Sequence, residues 1–325
     1  MTRVLALAGG PDAEREISLR SAAAIARALR AAPEMDAETL EIDTLTLDAL
    51  RDCADAHRAD VVWPALHGPW GEGGPMQDLL ERVGRPYVGS GPLAARLAMD
   101  KVATKTIARD IGLHVNATAV VRPGDAQPPL PLPVVVKPVH EGSTIGLSIC
   151  HEIDDWVRAR DDASQRKGPA MIEPFVEGRE LTVGLIEDTG AGAVGFGADA
   201  TWRALPVIEI VPKEGLYDYE AKYSRDDTRY IVDPALHEGI GKTISEQSIA
   251  LARALGCRSL ARVDFILNEA NEPMLLEINT MPGFTNHSLV PMAAQAAGVD
   301  MASLCAMIVN GALQNASTPA QQALA

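Results

Sequence analysis

The chain has 325 residues, 47% hydrophobic and 22% charged, with a formal net charge of −15. That length and composition suit two or three globular domains with sizeable cores. The acidic balance argues against a nucleic-acid or anionic-membrane surface, and no apolar run reaches the ~18 residues of a membrane-spanning helix.

RVLALAGG (residues 3–10) reads as a buried strand ending in a glycine turn. PDAERE cuts that apolar stretch short, so it is not read as a signal peptide. In AEREISLRSAAAIARALRA, Ile17, Ala24, Ile25, Ala28 and Leu29 recur at helical spacing, with the small Ser21 on the same face. ADVVWPALHG is a second buried strand, MQDLLERVG a short helix stopped by Gly84, and PYVGSG a third short strand. Strands alternating with helices imply a mostly parallel sheet, closing near residue 92.

AMDKVATKTIARDIG reads as one helix ending at Gly112. PGDAQPPLPLP is a proline-rich loop, too donor-poor for a helix or central strand. LPVVVKP is a strand, HEGSTIG a glycine-flanked loop, and AMIEPFVEGRELTVGLI holds two apolar runs around an EG turn. ATWRALPVIEIVP is a long strand candidate. EGIGKTISEQSIALARALG is an amphipathic helix, and SLVPMAAQAAG a last short one with Pro291 in its first turn. NASTPAQQALA reads as a frayed tail. Cys53, Cys150, Cys257 and Cys305 show no CxxC spacing, so reduced thiols and a cytoplasmic setting are expected.

The chemistry concentrates in RVDFILNEANEPMLLEIN. Side chains alternate along a strand, so Arg262 and Asp264 share one face, and Glu277 and Asn279 share another. A hairpin symmetric about the Ala270–Asn271 bond sets Asp264 opposite Glu277 and Arg262 opposite Asn279. Leu276 and Ile278 then take the far face. Paired carboxylates repel unless a cation joins them, and carboxylate and amide oxygens suit Mg²⁺ or Mn²⁺ rather than Zn²⁺. The plainer reading, a half-exposed hairpin with a wet polar face, fits the stretch in isolation equally well.

Other segments are ambiguous alone. Lys101 lies early in its helix and Lys137 ends an apolar strand; lone lysines there are usually surface residues. HEGSTIG can cradle an anion on backbone N–H groups, with Ser143 or Thr144 adding a hydroxyl, but it is not a P-loop. Glu173 and Glu180 flank a hinge, where adenine and ribose are readable ligands and a solvated acidic loop is the commoner case. LHGPWGEGG puts His67 at a strand end, where open α/β sheets bind ligands, and Glu72 in a glycine loop; a lone His is more often structural. Glu14 opens a helix, where the dipole favours a carboxylate. YDYEAKYSRDDT gathers Tyr217, Tyr219 and Tyr223 around Lys222, as in a closing loop or a packed surface strand. His287 and Ser288 meet a helix N-terminus, a carboxylate site or an ordinary serine cap.

In this order and spacing, GGPDAEREISL, LHGPWGEGG, AMDK, VVVKPVHEGSTIG, MIEPFVEGRELTV, YDYEAKY, RVDF and LLEINTMPGFTNHSLVPM resemble the D-alanine–D-alanine ligases of the ATP-grasp superfamily. The resemblance runs from about residue 4 to about residue 310. It implies an α/β ATP-grasp fold of three α/β domains, the first a Rossmann-like parallel-sheet domain. Expected bounds are 1–92, a central domain at 93–183, a C-terminal domain at 184–316 and a flexible tail at 317–325.

By the same resemblance, ATP and two Mg²⁺ ions, or Mn²⁺, are bound. Asp264, Glu277 and Asn279 match the metal ligands. Lys101 and Lys137 match the phosphate lysines, Glu173 and Val176 adenine-region contacts, and Glu180 a ribose contact; Lys222 would reach the transferred phosphate. Glu14, Ser143 and Tyr223 match a hydrogen-bonded trio tying the first domain, the serine loop and the closing loop together. Glu14 and His67 match groups near the first D-alanine, and Ser288 with the Leu289 N–H the second one's carboxylate site. Arg262 and the Gly283 N–H match the oxyanion site. The implied activity makes D-alanyl-D-alanine for peptidoglycan precursors in the cytoplasm, and family members are generally homodimers.

The chain departs from the family pattern at Gly73, acidic in the usual GEDG, at Pro75, at Ala98 and at Val139-His140. None is a metal ligand, an ATP lysine or a trio member, but Gly73 lies near the first-substrate site. Alternatives are a related ligase with D-lactate, D-serine or another acceptor, and a non-catalytic ATP- or amino-acid-binding protein. Intact Asp264, Glu277, Asn279 and Arg262 argue against a mere binder. LALAGGPDAE lacks GxGxxG, which argues against a dinucleotide oxidoreductase.

Overall fold

The computed structural model describes residues 1–166, 168–187, 202–213, 227–285 and 287–316. Tyr217, Tyr219, Lys222, Tyr223 and the 317–325 tail lie outside them.

Three sheets follow one another along the chain. In the first, β1 (Thr2–Gly9) lies between β2 (Met35–Ile42) and β3 (Val61–Pro64), all parallel. The helix Arg15–Ala31 connects β1 to β2 and buries Ile17, Ser21, Ala24, Ile25, Ala28 and Leu29, the face its periodicity predicts. β2 and the helix Leu47–Ala56 escape the sequence reading. MDAETLEI alternates apolar with acidic or hydroxylated residues, because β2 is an edge strand with one wet face. The expected third strand shrinks to a single bridge, Val62 with Tyr87.

The second sheet is antiparallel, in the order β4 (Ala119–Val121), β7 (Ala170–Pro174), β5 (Val134–Pro138), β6 (Ser148–Cys150). Val134, Val136, Ala170 and Ile172 pack with Trp156 of the helix Ile153–Gln165 on one face. Alternation therefore turns Val135, Lys137 and Glu173 to the other face.

The third sheet, in its described part, runs β11 (Arg229–Val232), β10 (Ile208–Val211), β8 (Gly178–Glu187), β12 (Leu260–Asn268), β13 (Pro273–Asn279), with β9 (Trp202–Ala204) also on β8. The long strand expected over residues 200–212 is thus two short strands, broken at Leu205–Val207; Pro206 has no N–H to give a ladder. Residue 183, the expected domain boundary, falls inside β8, which pairs with β12 along its length.

Leu181, Val183, Leu185, Val263, Phe265, Leu275 and Ile278 form one core with the helix Ile240–Leu255. Ala98 and Ala108 join that core, bringing with them the helices Pro92–Met99 and Lys101–Asp110. The single helix expected here breaks at Asp100, whose carboxylate accepts from the Val102 and Ala103 N–H groups at 2.9 Å each. On the other side, Ile186, Leu260 and Val290 share a core with Ile25, Trp63 and Ile308 of the first unit and of the helix Met301–Ala316.

No single described helix is long and apolar enough to cross a membrane. The helices Leu289–Ala296 and Met301–Ala316 reach that length and apolar content only together, and a 108° bend separates them. All four cysteines are free, and Cys150, Cys257 and Cys305 are buried.

Candidate active site

The hairpin pairs Arg262 with Asn279, Val263 with Ile278 and Asp264 with Glu277, the register its symmetry predicts. The pairing then slips by one residue, and Phe265 faces Leu275. This bulge corrects the expectation for Leu276. It does not join Ile278 in the core but lines a cleft with Asp264, Ile266 and Glu277.

The cleft lies between the second and third sheets and encloses about 940 Å³, part of it open to solvent. Val135, Lys137 and Glu173 wall one side; Glu180, Asp264, Ile266, Leu276 and Glu277 wall the other. Phe175 and Val176 form the hinge end, and Lys101 and the 141–147 loop close the far end. The mixture of aliphatic wall and clustered charge is that of a small-ligand site.

Charge inside the cleft is paired across elements. The Lys101 ammonium donates to the Glu141 carbonyl at 2.6 Å and lies 3.4 Å from Glu277. Glu173 bridges Lys137 and Lys105, the latter at 2.5 Å. Burial alone would raise the Glu173 pKa, but the two ammonium groups together outweigh it and hold the carboxyl below its ordinary value. Asp264 accepts from Arg262 Nε and a terminal guanidinium nitrogen at 2.9 and 2.7 Å, and from the Thr182 hydroxyl at 2.6 Å. Asn279 Oδ1 accepts once, from the Met281 N–H at 2.9 Å, and keeps a second lone pair. Glu277, Asn279, Lys101 and Glu72 also border a smaller space of about 350 Å³, part of it open to solvent. Among the described residues, no three His, Cys, Asp or Glu side chains cluster as a metal site. The oxygen set here is two carboxylates and an amide.

Beside this cleft the first unit contributes a second group. Glu14 is the N-cap residue of Arg15–Ala31, and Ser143 donates its hydroxyl to the Glu14 carboxylate across 129 residues. Ser143 and Thr144 hold φ at 52° and 63°, a left-handed backbone costing about 1 kcal/mol or more apiece in a non-glycine residue. Two members of the expected trio therefore meet; Tyr223 lies outside the described residues.

His67 is 5% exposed, and its Nε2 has no hydrogen-bond partner among the described residues. Burial lowers its pKa; the Glu14 charge opposes this and the Arg262 charge adds to it. The shift favours the neutral ring, which also meets the Met281 backbone, and leaves Nε2 unpartnered among the described residues, a buried polar atom that a ligand could satisfy. Glu72 is buried as well, accepting from the Gly68 N–H at 3.1 Å. Burial first, then the Glu14 charge, pushes the Glu72 carboxyl well above its ordinary range.

The remaining predicted groups sit on the 280–289 loop. Ser288 is the N-cap residue of Leu289–Ala296 but makes no capping bond with its side chain. Its hydroxyl accepts from the Thr285 N–H at 2.9 Å, and a side chain at Gly283 would begin 3.3 Å from it. The Phe284 N–H donates to Ser21 at 3.0 Å, which ties this loop to the first helix.

Lys105 and Glu72 are missing from the sequence-derived site. Glu72 is singled out in its glycine loop beside His67 but given no role. Lys105 had a signal: Lys101, Thr104, Lys105 and Ala108 share one helix face, and that face is the buried one.

The Gly73 departure also has a structural reason. A Cβ there would lie 2.4 Å from the Pro69 carbonyl oxygen. Restoring the family's acidic residue with Gly73→Asp is therefore expected to lower stability by about 1–3 kcal/mol. A thermal-unfolding scan tests this, and an unchanged midpoint would refute so close an approach.

The sequence model described as D-ala D-ala ligase C-terminus matches residues 118–310. The chain is 41% identical over 326 residues to the D-alanine–D-alanine ligase of Bordetella petrii, covering 98% of this chain and 94% of that one. It is 38% identical to the enzyme of that name from Anaeromyxobacter sp. (strain K), covering 95% and 96%. Among solved structures, the D-alanine–D-alanine ligase of Coxiella burnetii superposes with a TM-score of 0.80 at 25% identity, over 99% of this chain and 96% of that one. The Bacillus anthracis ligase complexed with ATP gives 0.78 at 27% identity, over 97% and 98%. Sequence and fold agree over nearly the whole length, on the elements that build this cleft, and the chain belongs to the D-alanine–D-alanine ligase family.

Proposed function

We propose that this protein joins two D-alanines into D-alanyl-D-alanine at the expense of ATP, as an ADP-forming ligase. The observation that carries the reading is the face of the hairpin. Asp264 and Glu277 look onto the same cleft as Lys101 and Lys137, so acidic ligands and phosphate-neutralising cations converge on one space. Val176 and Phe175 at the hinge end receive the adenine, with Glu173 behind it and Glu180 towards the ribose.

The carboxylate of the first D-alanine attacks the γ-phosphorus; the P–O bond to ADP breaks and an acyl phosphate forms. Lys101 and Lys137 neutralise the charge that spreads over the phosphoryl oxygens. The free amine of the second D-alanine then attacks the acyl carbon. Arg262 and the Gly283 N–H hold the tetrahedral oxyanion; the C–O bond breaks, inorganic phosphate leaves and the amine gives up a proton. Glu14 and His67 orient the first substrate, and Ser288 with the N-terminus of Leu289–Ala296 receives the carboxylate of the second. Lys222 and Tyr223, outside the described residues, belong to the lid that keeps water from the acyl phosphate.

Asp264, Glu277 and Asn279 would hold Mg²⁺ or Mn²⁺. Their hard oxygens fit such an ion, and its chemistry is to screen the phosphate charge and polarise the γ-phosphoryl group. The product supplies peptidoglycan precursor synthesis in the cytoplasm, and the working form is a homodimer, both by family resemblance.

The decisive measurement is phosphate release by purified protein with ATP and Mg²⁺, with D-alanine, D-serine, D-lactate and L-amino acids in turn. D-alanine-dependent release with D-alanyl-D-alanine as product is expected. Release driven better by another acceptor would reassign the second-substrate site, and no D-alanine-dependent release would reject the reading.

A further inference from the structure

Lys105 carries a charge where the cleft has no direct use for one. Its side chain is 1% exposed, and it is among the largest fully buried residues of the protein. It takes no part in lining the cleft, unlike Lys101 and Lys137. Its ammonium instead joins three elements: its own helix Lys101–Asp110, Glu173 on β7 at 2.5 Å, and the Leu275 carbonyl on β13 at 3.1 Å. Glu173, itself only 3% exposed, spends its other oxygen on Lys137.

A buried carboxylate holding two cations looks redundant until a phosphate enters. Lys137 is 10% exposed and reaches the cleft, so a polyphosphate draws it away from Glu173. A buried carboxylate left without a counter-ion is heavily penalised. Lys105 is out of the phosphate's reach and remains. We infer that Lys105 is a positioning residue, a buried counter-ion that keeps Glu173 paired while Lys137 passes to the nucleotide phosphates. It sets nucleotide affinity without touching the nucleotide, and through the Leu275 carbonyl it also steadies the strand that carries Glu277. The inference rests on the nucleotide reading above. The wild-type phosphate-release assay tests that reading separately, because it needs no statement about Lys105.

The test is a double-mutant cycle in the whole protein. Lys105→Met is expected to raise KM for ATP about tenfold or more, with a smaller change in kcat and KM for D-alanine within about twofold. In a Glu173→Gln background no carboxylate needs a counter-ion, so adding Lys105→Met changes KM for ATP little. An unchanged KM in the single variant, or the full factor repeated on Glu173→Gln, overturns the inference; a residue that merely packs would give the latter.

A pH profile supplies a readout that does not require Lys105→Met to fold. Burial lowers the Lys105 pKa to about 8; Glu173 opposes this and Lys137 adds to it, with Glu277 opposing from β13. Lys101 stands one turn away on the same helix. Loss of the proton then mimics the substitution. KM for ATP is expected to rise in the wild type between about pH 7 and about pH 9 and to stay level in Glu173→Gln. A level wild-type profile, or the same rise in Glu173→Gln, overturns the inference.

Discussion

Glu277→Gln is expected to lower ATP turnover by about 10²-fold or more while the protein stays folded. The reasoning weighs two environments. In the resting protein Glu277 faces Asp264 directly across the hairpin, and like charges in register repel. One compensation is the Lys101 ammonium at 3.4 Å, in a half-buried pair whose side chains are 25% and 8% exposed. Removing the charge deletes that pair and the repulsion together, and Lys101 keeps its bond to the Glu141 carbonyl, so the protein is expected to stay folded. In the proposed metal-bound site the same carboxylate would be one of two anionic ligands for the divalent ion, and an amide replaces it with a neutral oxygen. Turnover measured against Mg²⁺ concentration, beside a thermal scan, separates the two environments. Wild-type turnover at every Mg²⁺ concentration would remove Glu277 from the metal site.

Arg262→Met is expected to cost about 10²–10³-fold in kcat, the usual scale for losing a preorganised oxyanion donor. Arg262→Lys recovers little, because an ammonium cannot supply the planar fork that now grips Asp264 through Nε and a terminal nitrogen. Arg262 is also one of the charges that depress the His67 pKa, after burial. Removing the guanidinium therefore moves the His67 pKa upward, towards the ordinary imidazole range. An NMR titration of the His67 ring in Arg262→Met reads this shift without any turnover. A His67 pKa identical in both proteins would show that the guanidinium does not act on the imidazole. Full kcat in either variant would remove Arg262 from the oxyanion role.

How far the site was readable depended on the range of the interaction. The hairpin lay open to sequence because strand alternation and a six-residue polar turn are local facts, and Asp264, Glu277, Arg262 and Asn279 pair as they require. One step beyond Asp264 the same logic fails at Leu276: a bulge is a choice between two nearly equal registers, made by what the strand packs against. The helix Arg15–Ala31 buries the face its period predicts. The long helix expected around Lys101 is divided by an aspartate that caps one half. Short strands such as β4, β6 and β11, of three or four residues, carry too few side chains for any period to show.

Residue order by itself determined the alternating α/β plan of the first unit, the polar face of the hairpin and, through motif order, the family. The first two rest on spacing within a few turns of chain, the family on the order of short motifs along nearly all of it. Which partner each buried acid holds was decided only by the closed fold: Lys105 meets Glu173 across 68 residues, and Ser143 meets Glu14 across 129. A buried charge must find an opposite one, but the chain's local chemistry does not say which, because that choice follows from how three sheets come together and exclude water.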